Sequence, residues 1–319
     1  MGSGHRLRRP RAAPPVNGTV VPSVDRSIGV PEDLTVTDLF RLDSPDLPRA
    51  PVLICAIESW IDAGMAAARA RTQLLESCDV SMVGRFDAET LVDHQARRPV
   101  MHLVDGVNSG LDWPEIVLQL GSDPEGRRFL LLAGAEPDRL WRSLSRRIVE
   151  LARQAGVRQV LTVGAYPAPV PHTRPAKVVA TATSQEQADR VGFGPGRLEV
   201  PAGFNAALEA ACAEDGLAAC GLWAQVPHYL ANLPYPAAAL ALLDQIAALT
   251  GVSVDTAVLR RQAAEAGARL DELVAGNPEH LAMVAQLERS YDEQPGSFAV
   301  PSGDELAAEV ERFLRNQDD

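Results

Sequence analysis

The chain has 319 residues, 46% of them apolar and 23% charged, which is enough for a substantial core and too long for a small disulfide-stapled fold. Its formal charge of −12 disfavours a nucleic-acid-binding surface, and every basic residue except Lys177 is an arginine. Lys177 sits between Ala176 and Val178, outside any glycine-rich loop ending in Lys-Ser or Lys-Thr, so nucleotide hydrolysis by that device is excluded.

Four cysteines, Cys55, Cys78, Cys212 and Cys220, form no CxxC pair and have no histidine at metal-ligand spacing. That argues against structural zinc and against a disulfide framework, and it predicts a cytoplasmic protein with no metal and no cofactor. Membrane insertion is not expected. The best apolar stretch, 237–249, is interrupted by Asp244 and Gln245, whereas a span needs about 20 apolar residues.

In chain order, residues 1–30 carry Arg6, Arg8, Arg9, Arg11 and Arg26 amid Pro, Gly and Ala, with no apolar stretch typical of a secretory signal. A disordered basic tail is the reading. An α/β domain is expected over 31–236. Residues 52–57 form an apolar run of strand length, and Asp62 is placed to cap the helix that follows. Further strands are predicted at 80–86, 99–104 and 127–133. A helix over 138–155 places Leu140, Leu144, Ile148, Leu151 and Ala155 on one face and stops at Gly156. Strands at 157–163 and 177–183, a capping box at 184–187, a helix at 204–214 and a strand at 217–226 complete the pattern. Such alternation implies a mostly parallel sheet covered on both faces.

Beyond Pro236 only helices are predicted, at 237–249, 254–266, 270–275, 278–291 and 304–314, forming a helical extension over 237–319. This extension holds 15 acidic residues against six arginines, and so most of the chain's excess charge.

Ligands of open α/β sheets gather at the carboxyl ends of the strands. Five loops qualify: 58–64, 134–138, 164–167 running into 171–175, 181–184, and 227–229. Their chemistry-bearing residues are Glu58, Trp60, Asp62, Gly64, Glu136, Tyr166, His172, Arg174, His228 and Tyr229. His172 and Arg174, bracketed by Pro171 and Pro175, could hold a general base beside an anion clamp, or could satisfy internal carbonyls and a carboxylate. No nucleophile elbow surrounds Ser59 or Ser109, and Cys55 lies in an apolar strand where a thiol is inert packing. His94 and His102, with Asp93 and Asp105, fit no metal-ligand pattern. The glycines of 192–196 follow a short helix rather than a strand and read as a turn. Trp60, Trp113, Trp141 and Trp223 are taken as core or interface anchors.

Four motifs in a fixed order carry a resemblance: Trp60-Ile61-Asp62-Ala63-Gly64, Gly134-Ala135-Glu136-Pro137-Asp138, the segment 164–175, and 222–229 followed by helices. In this the sequence from Val52 onward resembles the proteasome assembly chaperone 2 family in its actinobacterial form. The resemblance implies a three-layer α/β/α domain of the phosphorylase and hydrolase type. It also implies self-association, a homotrimer being one form, and a chaperone-like, protein-binding role with proteasome subunits among the partners. Some members of the wider family dock through a carboxyl-terminal hydrophobic-Tyr-any motif; here the last residues are Arg315-Asn316-Gln317-Asp318-Asp319 and do not carry it. The alternative is a small-molecule-binding enzyme of the carboxylate-amine ligase or hydrolase type, using the strand-end pocket.

Overall fold

The computed structural model describes residues 39–43, 45–184 and 199–293. The expected basic tail, the capping box at 184–187, the glycine turn at 192–196 and the helix at 304–314 lie wholly or largely outside these residues.

Strand β2 (Val52–Ile57) is buried at every position. Its residues alternate between two cores: Val52, Ile54 and Ala56 face one, and Leu53, Cys55 and Ile57 the other. A strand with both faces covered must be apolar throughout, which is why its run is uninterrupted. Strands β7 (Arg128–Gly134), β8 (Gln159–Ala168) and β10 (Ala218–Pro227) repeat the pattern, and the four run parallel in the order β7-β2-β8-β10.

Antiparallel strands flank this centre. On one side β6 (Ile116–Ser122), β3 (Asp79–Phe86) and the three-residue β1 (Phe40–Leu42) follow β7, and on the other β9 (Val178–Ala182) runs against β10. The result is one mixed eight-stranded sheet with a parallel centre. A separate antiparallel hairpin, β4 (Val100–Val104) and β5 (Val107–Asp112), stands outside it.

Helix α1 (Ala66–Ser77) and α5 (Pro236–Thr250) cover one face of the sheet, while α3 (Trp141–Gln154) and α4 (Phe204–Asp215) cover the other; α2 (Ala88–Leu91) is a single turn. Helix α5 buries Ala238, Ala239, Leu240, Leu242, Leu243 and Ile246 in the same core as the strands. Helices α6 (Ala257–Ala275) and α7 (Pro278–Glu293) form an antiparallel pair that is mostly exposed, with Leu259 and Val284 their buried residues.

Several elements differ from the sequence expectation. The two helices expected at 254–266 and 270–275 are one, because Gly267 sits among good helix formers and a lone glycine does not break such a run. Helix α3 starts at Trp141 rather than 138, since Leu140 adopts a left-handed conformation (φ 57°) that cannot propagate a helix. Strand β8 runs on to Ala168, so Tyr166 and Pro167 are strand residues rather than loop. Pro167 is tolerated there because β2 pairs with β8 only as far as Thr162 and the bridge of Asp62 to Ala165 stops short of it, leaving that flank unpaired at Pro167. Strands β1, β5 and β6 had no counterpart in the sequence reading.

Candidate functional site at the carboxyl edge of the sheet

Four of the five strand-end loops converge. Those after β2, β7, β8 and β10 share the carboxyl edge of the parallel centre. The fifth does not: β9 is antiparallel to β10, and Ala182 pairs with Cys220 near the start of that strand, which puts 181–184 at the opposite edge. Thr181 is instead part of an internal knot. Glu209 of α4 accepts the Thr162 hydroxyl at 2.6 Å and the Thr181 hydroxyl at 2.7 Å. Burial raises its pKa.

At the converged edge, Asp62 spans the short 3-10 turn Ala63–Met65 and accepts the Ala67 and Ala68 N–H groups at 2.8 and 2.9 Å. Its carboxylate satisfies two orphan amides of α1. Burial is the largest influence on this carboxyl and raises its pKa, although the two amides and Arg71 pull the other way. Gly64 is left-handed (φ 66°), and a Cβ there would stand 2.9 Å from Tyr235 Cβ. The chain can therefore turn beneath Tyr235 only with glycine at this position.

Glu136 is a clamp between distant segments. Its two oxygens accept the Trp60 N–H at 2.9 Å and the Phe204 N–H at 2.8 Å, tying the β2 loop to the first residue of α4. Glu58 lies between Arg97 and Arg71, and Arg71 also donates to the Ala56 carbonyl at 3.1 Å. The Tyr166 hydroxyl accepts from Gln225 Nε2 at 2.9 Å, and burial raises its pKa.

His172 is held by Tyr229, whose hydroxyl accepts the His172 backbone N–H at 2.9 Å and lies 2.7 Å from Nδ1. Because that oxygen already accepts the amide, its own proton is best directed at Nδ1, which assigns the proton of a neutral ring to Nε2. Nε2 in turn sits 3.3 Å from Asp271 Oδ1 of α6, within ion-pair distance but off the hydrogen-bond line. The His172 side chain is 1% exposed. The ring of Tyr229 also packs edge-on against that of His228, with centroids 5.3 Å apart. Burial pushes the Tyr229 phenol up to about 12.

Arg174 grips α7. Its Nε and Nη2 bind the two oxygens of Asp292 at 2.9 and 2.7 Å, and Nη1 binds Glu288 at 3.0 Å. The Thr173 hydroxyl donates to the same Glu288, the Tyr291 hydroxyl donates to the Pro175 carbonyl, and Lys177 Nζ stands 3.6 Å above the Tyr291 ring. The loop 171–177 is thus the seat of the α6–α7 pair. Asp271, Glu288, Tyr291 and Asp292, which complete the seat, were not singled out in the sequence.

Most polar groups of this edge are therefore occupied by the chain itself, while Ser59 Oγ and His172 Nε2 are buried without a hydrogen-bond partner. Exposed apolar side chains in the loops of this edge are Trp60, 57% exposed and packed near Gly203, and Met65 and Leu233 in the two segments that meet at Gly64 and Ala231. Elsewhere, His94 stacks edge-on with Trp113 while His102 pairs with Asp112 at 2.7 Å, so the two histidines are not brought together. No group of three or more metal-ligating side chains occurs among the described residues. Cys55 donates to Asn205 Oδ1 at 3.4 Å, and burial pushes its thiol up to about 12. No helix among the described residues is long and apolar enough to cross a membrane.

Fold and site together define an α/β/α protein with a mixed sheet whose carboxyl edge seats its own helical pair. Residues 56–274 match the PAC2 family, and the chain belongs to it. Solved structures similar to it include a Mycobacterium tuberculosis protein of unknown function, Rv2714, at 37% identity and a TM-score of 0.73, over 80% of this chain and 91% of that one. A Corynebacterium glutamicum protein of unknown function is 30% identical at TM-score 0.76, over 81% and 98% of the two chains. The Mycobacterium tuberculosis proteasome-assembly chaperone homologue Rv2125 is 33% identical at TM-score 0.68, over 74% and 99%. No curated protein matches the chain.

Proposed function

We propose that this protein is a non-enzymatic, chaperone-like scaffold that self-associates and binds a protein partner along the apolar rim of its carboxyl edge. The observation that carries the reading is the occupancy of that edge. Asp62 and Glu136 are held by helix amides, and His172 and Arg174 by Tyr229 and the acidic residues of α6 and α7. An enzyme would need such groups facing a substrate. A protein-binding surface needs exposed aromatic and aliphatic anchors, and Trp60, Met65 and Leu233 supply them.

The kinship to a proteasome-assembly chaperone homologue makes proteasome subunits the first partners to test. Titration of the purified protein against isolated proteasome subunits should give saturable binding, and Trp60→Ala should weaken it by about tenfold or more, as for an interface tryptophan. If no subunit binds at micromolar concentration, the proteasome link falls. Unchanged affinity in the variant would move the partner surface away from the rim.

A further inference from the structure

At the amino edge of the parallel centre, opposite the edge described above, three arginines surround an open concavity of about 450 Å³. Arg49 lies just before β2, Arg128 is the first residue of β7, and Arg158 lies just before β8. Leu53 of β2 is level with both Leu130 and Val160, so two residues back along each strand Pro51 stands between Arg128 and Arg158. The Arg158 N–H donates to the Pro51 carbonyl at 2.8 Å and carries the ladder to that level. Two strand spacings set these two arginines about 10 Å apart. The pleat turns both toward the face that α3 covers, the side of Leu130 and Val160. The Arg49 guanidinium closes the group over Gly156, where an added Cβ would stand 3.1 Å from its Nη1.

Acidic residues outnumber basic ones 42 to 30 in this chain, so an arginine on its surface ordinarily finds a carboxylate. Arg97 has Glu58, Arg127 has Asp123, Arg153 has Asp215 and Arg260 has Asp244. Arg49, Arg128 and Arg158 are exposed and form no ion pair among the described residues, and the rest of the concavity is lined by alanine, glycine and proline alone.

Capping of α3 does not account for them. A helix carboxyl end attracts cations to carbonyls left without donors. Here Leu151, Ala152, Arg153 and Ala155 already accept the backbone amides of Ala155, Val157, Gly156 and Ala50, at 2.8 to 3.1 Å. Three like charges gathered without a counter-charge repel one another, so the group costs the fold stability rather than adding to it.

We infer that this arginine cradle is a binding site for an inorganic polyphosphate anion of at least two phosphoryl units. The donors on offer are guanidiniums, because the amides of Ala50, Gly126, Gly156 and Arg158 are all donated within the chain. A carboxylate has one charge and two oxygens, enough for one arginine fork. A phosphoryl group carries about −1.5 to −2 charge and three acceptor oxygens, and two of them joined can be shared among three guanidiniums whose stems start this far apart. Arginine is also the side chain best matched to phosphate geometry. The lining has no aromatic ring on which a base could stack and no large apolar side chain to receive an organic group, so recognition ends at the phosphates.

The site lies at the other end of the strands from the partner rim, and the inference is independent of the scaffold reading. The test is calorimetric titration of the full chain with inorganic diphosphate at matched ionic strength. It is repeated on the double variant Arg128→Gln, Arg158→Gln, and on Arg261→Gln, Arg269→Gln, which removes the same charge from α6. Saturable binding to the wild type is expected, weakened tenfold or more in the cradle variant and unchanged in the α6 variant. Absence of saturable binding at millimolar diphosphate, or equal weakening in both variants, overturns the site. Orthophosphate should bind more weakly than diphosphate, and adenosine diphosphate and a hexaglutamate peptide no more tightly. Tighter binding of the nucleotide or the peptide overturns the assignment to inorganic polyphosphate, as does equal affinity for orthophosphate. Thermal unfolding gives a second reading. Diphosphate should raise the melting temperature of the wild type and not of the cradle variant, and without ligand that variant should melt no lower than the wild type. A lower melting temperature would show that the arginines serve the fold and would overturn the inference.

Discussion

The carboxyl edge of the sheet and the β4–β5 hairpin are opposites. The edge is dense in residues associated with chemistry, and nearly all of them are bonded to another part of the same chain. The hairpin holds few such residues beyond the His102–Asp112 pair, Asp105 and Ser109, and its large apolar side chains are exposed. At the edge, long-range hydrogen bonds draw loops and helices into one body, so its polar groups serve cohesion. In the hairpin a well-formed turn builds a surface that the rest of the chain leaves exposed. A residue type suited to catalysis does not define a site until the structure shows that its polar atoms remain available.

The sharpest way to break the edge side of this contrast is Glu136→Ala. It removes a charged acceptor from two amides in segments far apart in the chain, Trp60 and Phe204, and leaves both without their partner. Hydrogen bonds to charged groups contribute about 1.5–3 kcal/mol each, and solvent at this half-buried site recovers part of that, so a loss of about 2–3 kcal/mol is expected in urea unfolding. Glu136→Gln, which keeps one carbonyl acceptor, should lose less. A change below about 0.5 kcal/mol in the alanine variant would show that the edge is not bonded as described. Asp62→Ala is a milder cut. It removes one helix cap, with about 1 kcal/mol expected, and Asp62→Asn, which keeps an acceptor for only one of the two amides, should restore part of it.

The parallel centre was legible because a strand buried on both faces must be apolar at every position, and β2 and β7 show that unbroken run. Strand β6 breaks its run at Gln119, and β5 mixes Asn108, Ser109 and Gly110 with its apolar residues, so both lack the signature. The pair Asp105-Gly106 between Val104 and Val107 was the signal that would have disclosed the hairpin. At the site, the residue types were visible and their partners were not. Arg174 and Asp292 are 118 positions apart, and no local pattern couples a proline-bracketed loop to the outer face of a helix so far along. The fifth loop was misplaced for a related reason: an apolar run does not disclose strand direction, and β9 runs opposite to its neighbour.

The smallest effect is expected where the edge meets solvent, and acid should separate it from the core. The Arg174 guanidinium holds the Asp292 carboxyl below the ordinary aspartate value of 3.8. A carboxyl whose folded pKa is depressed stabilises the fold above its unfolded pKa and loses that contribution as pH falls through the folded value. Glu209 behaves oppositely. Burial raises its pKa, so its contribution is fully present below the unfolded value and is lost as pH rises through the folded one. On acidification from neutrality, therefore, the α7 seat weakens below about pH 4 while the Glu209 knot between α4 and the strands does not. Hydrogen exchange, corrected for its intrinsic pH dependence, should show amides of α7 losing protection before those of α4. Asp292→Asn should already show the weakened seat at neutral pH and lack the acid step. Simultaneous loss in both helices would mean that α7 is held by its apolar contacts at Val284 rather than by the fork at Arg174.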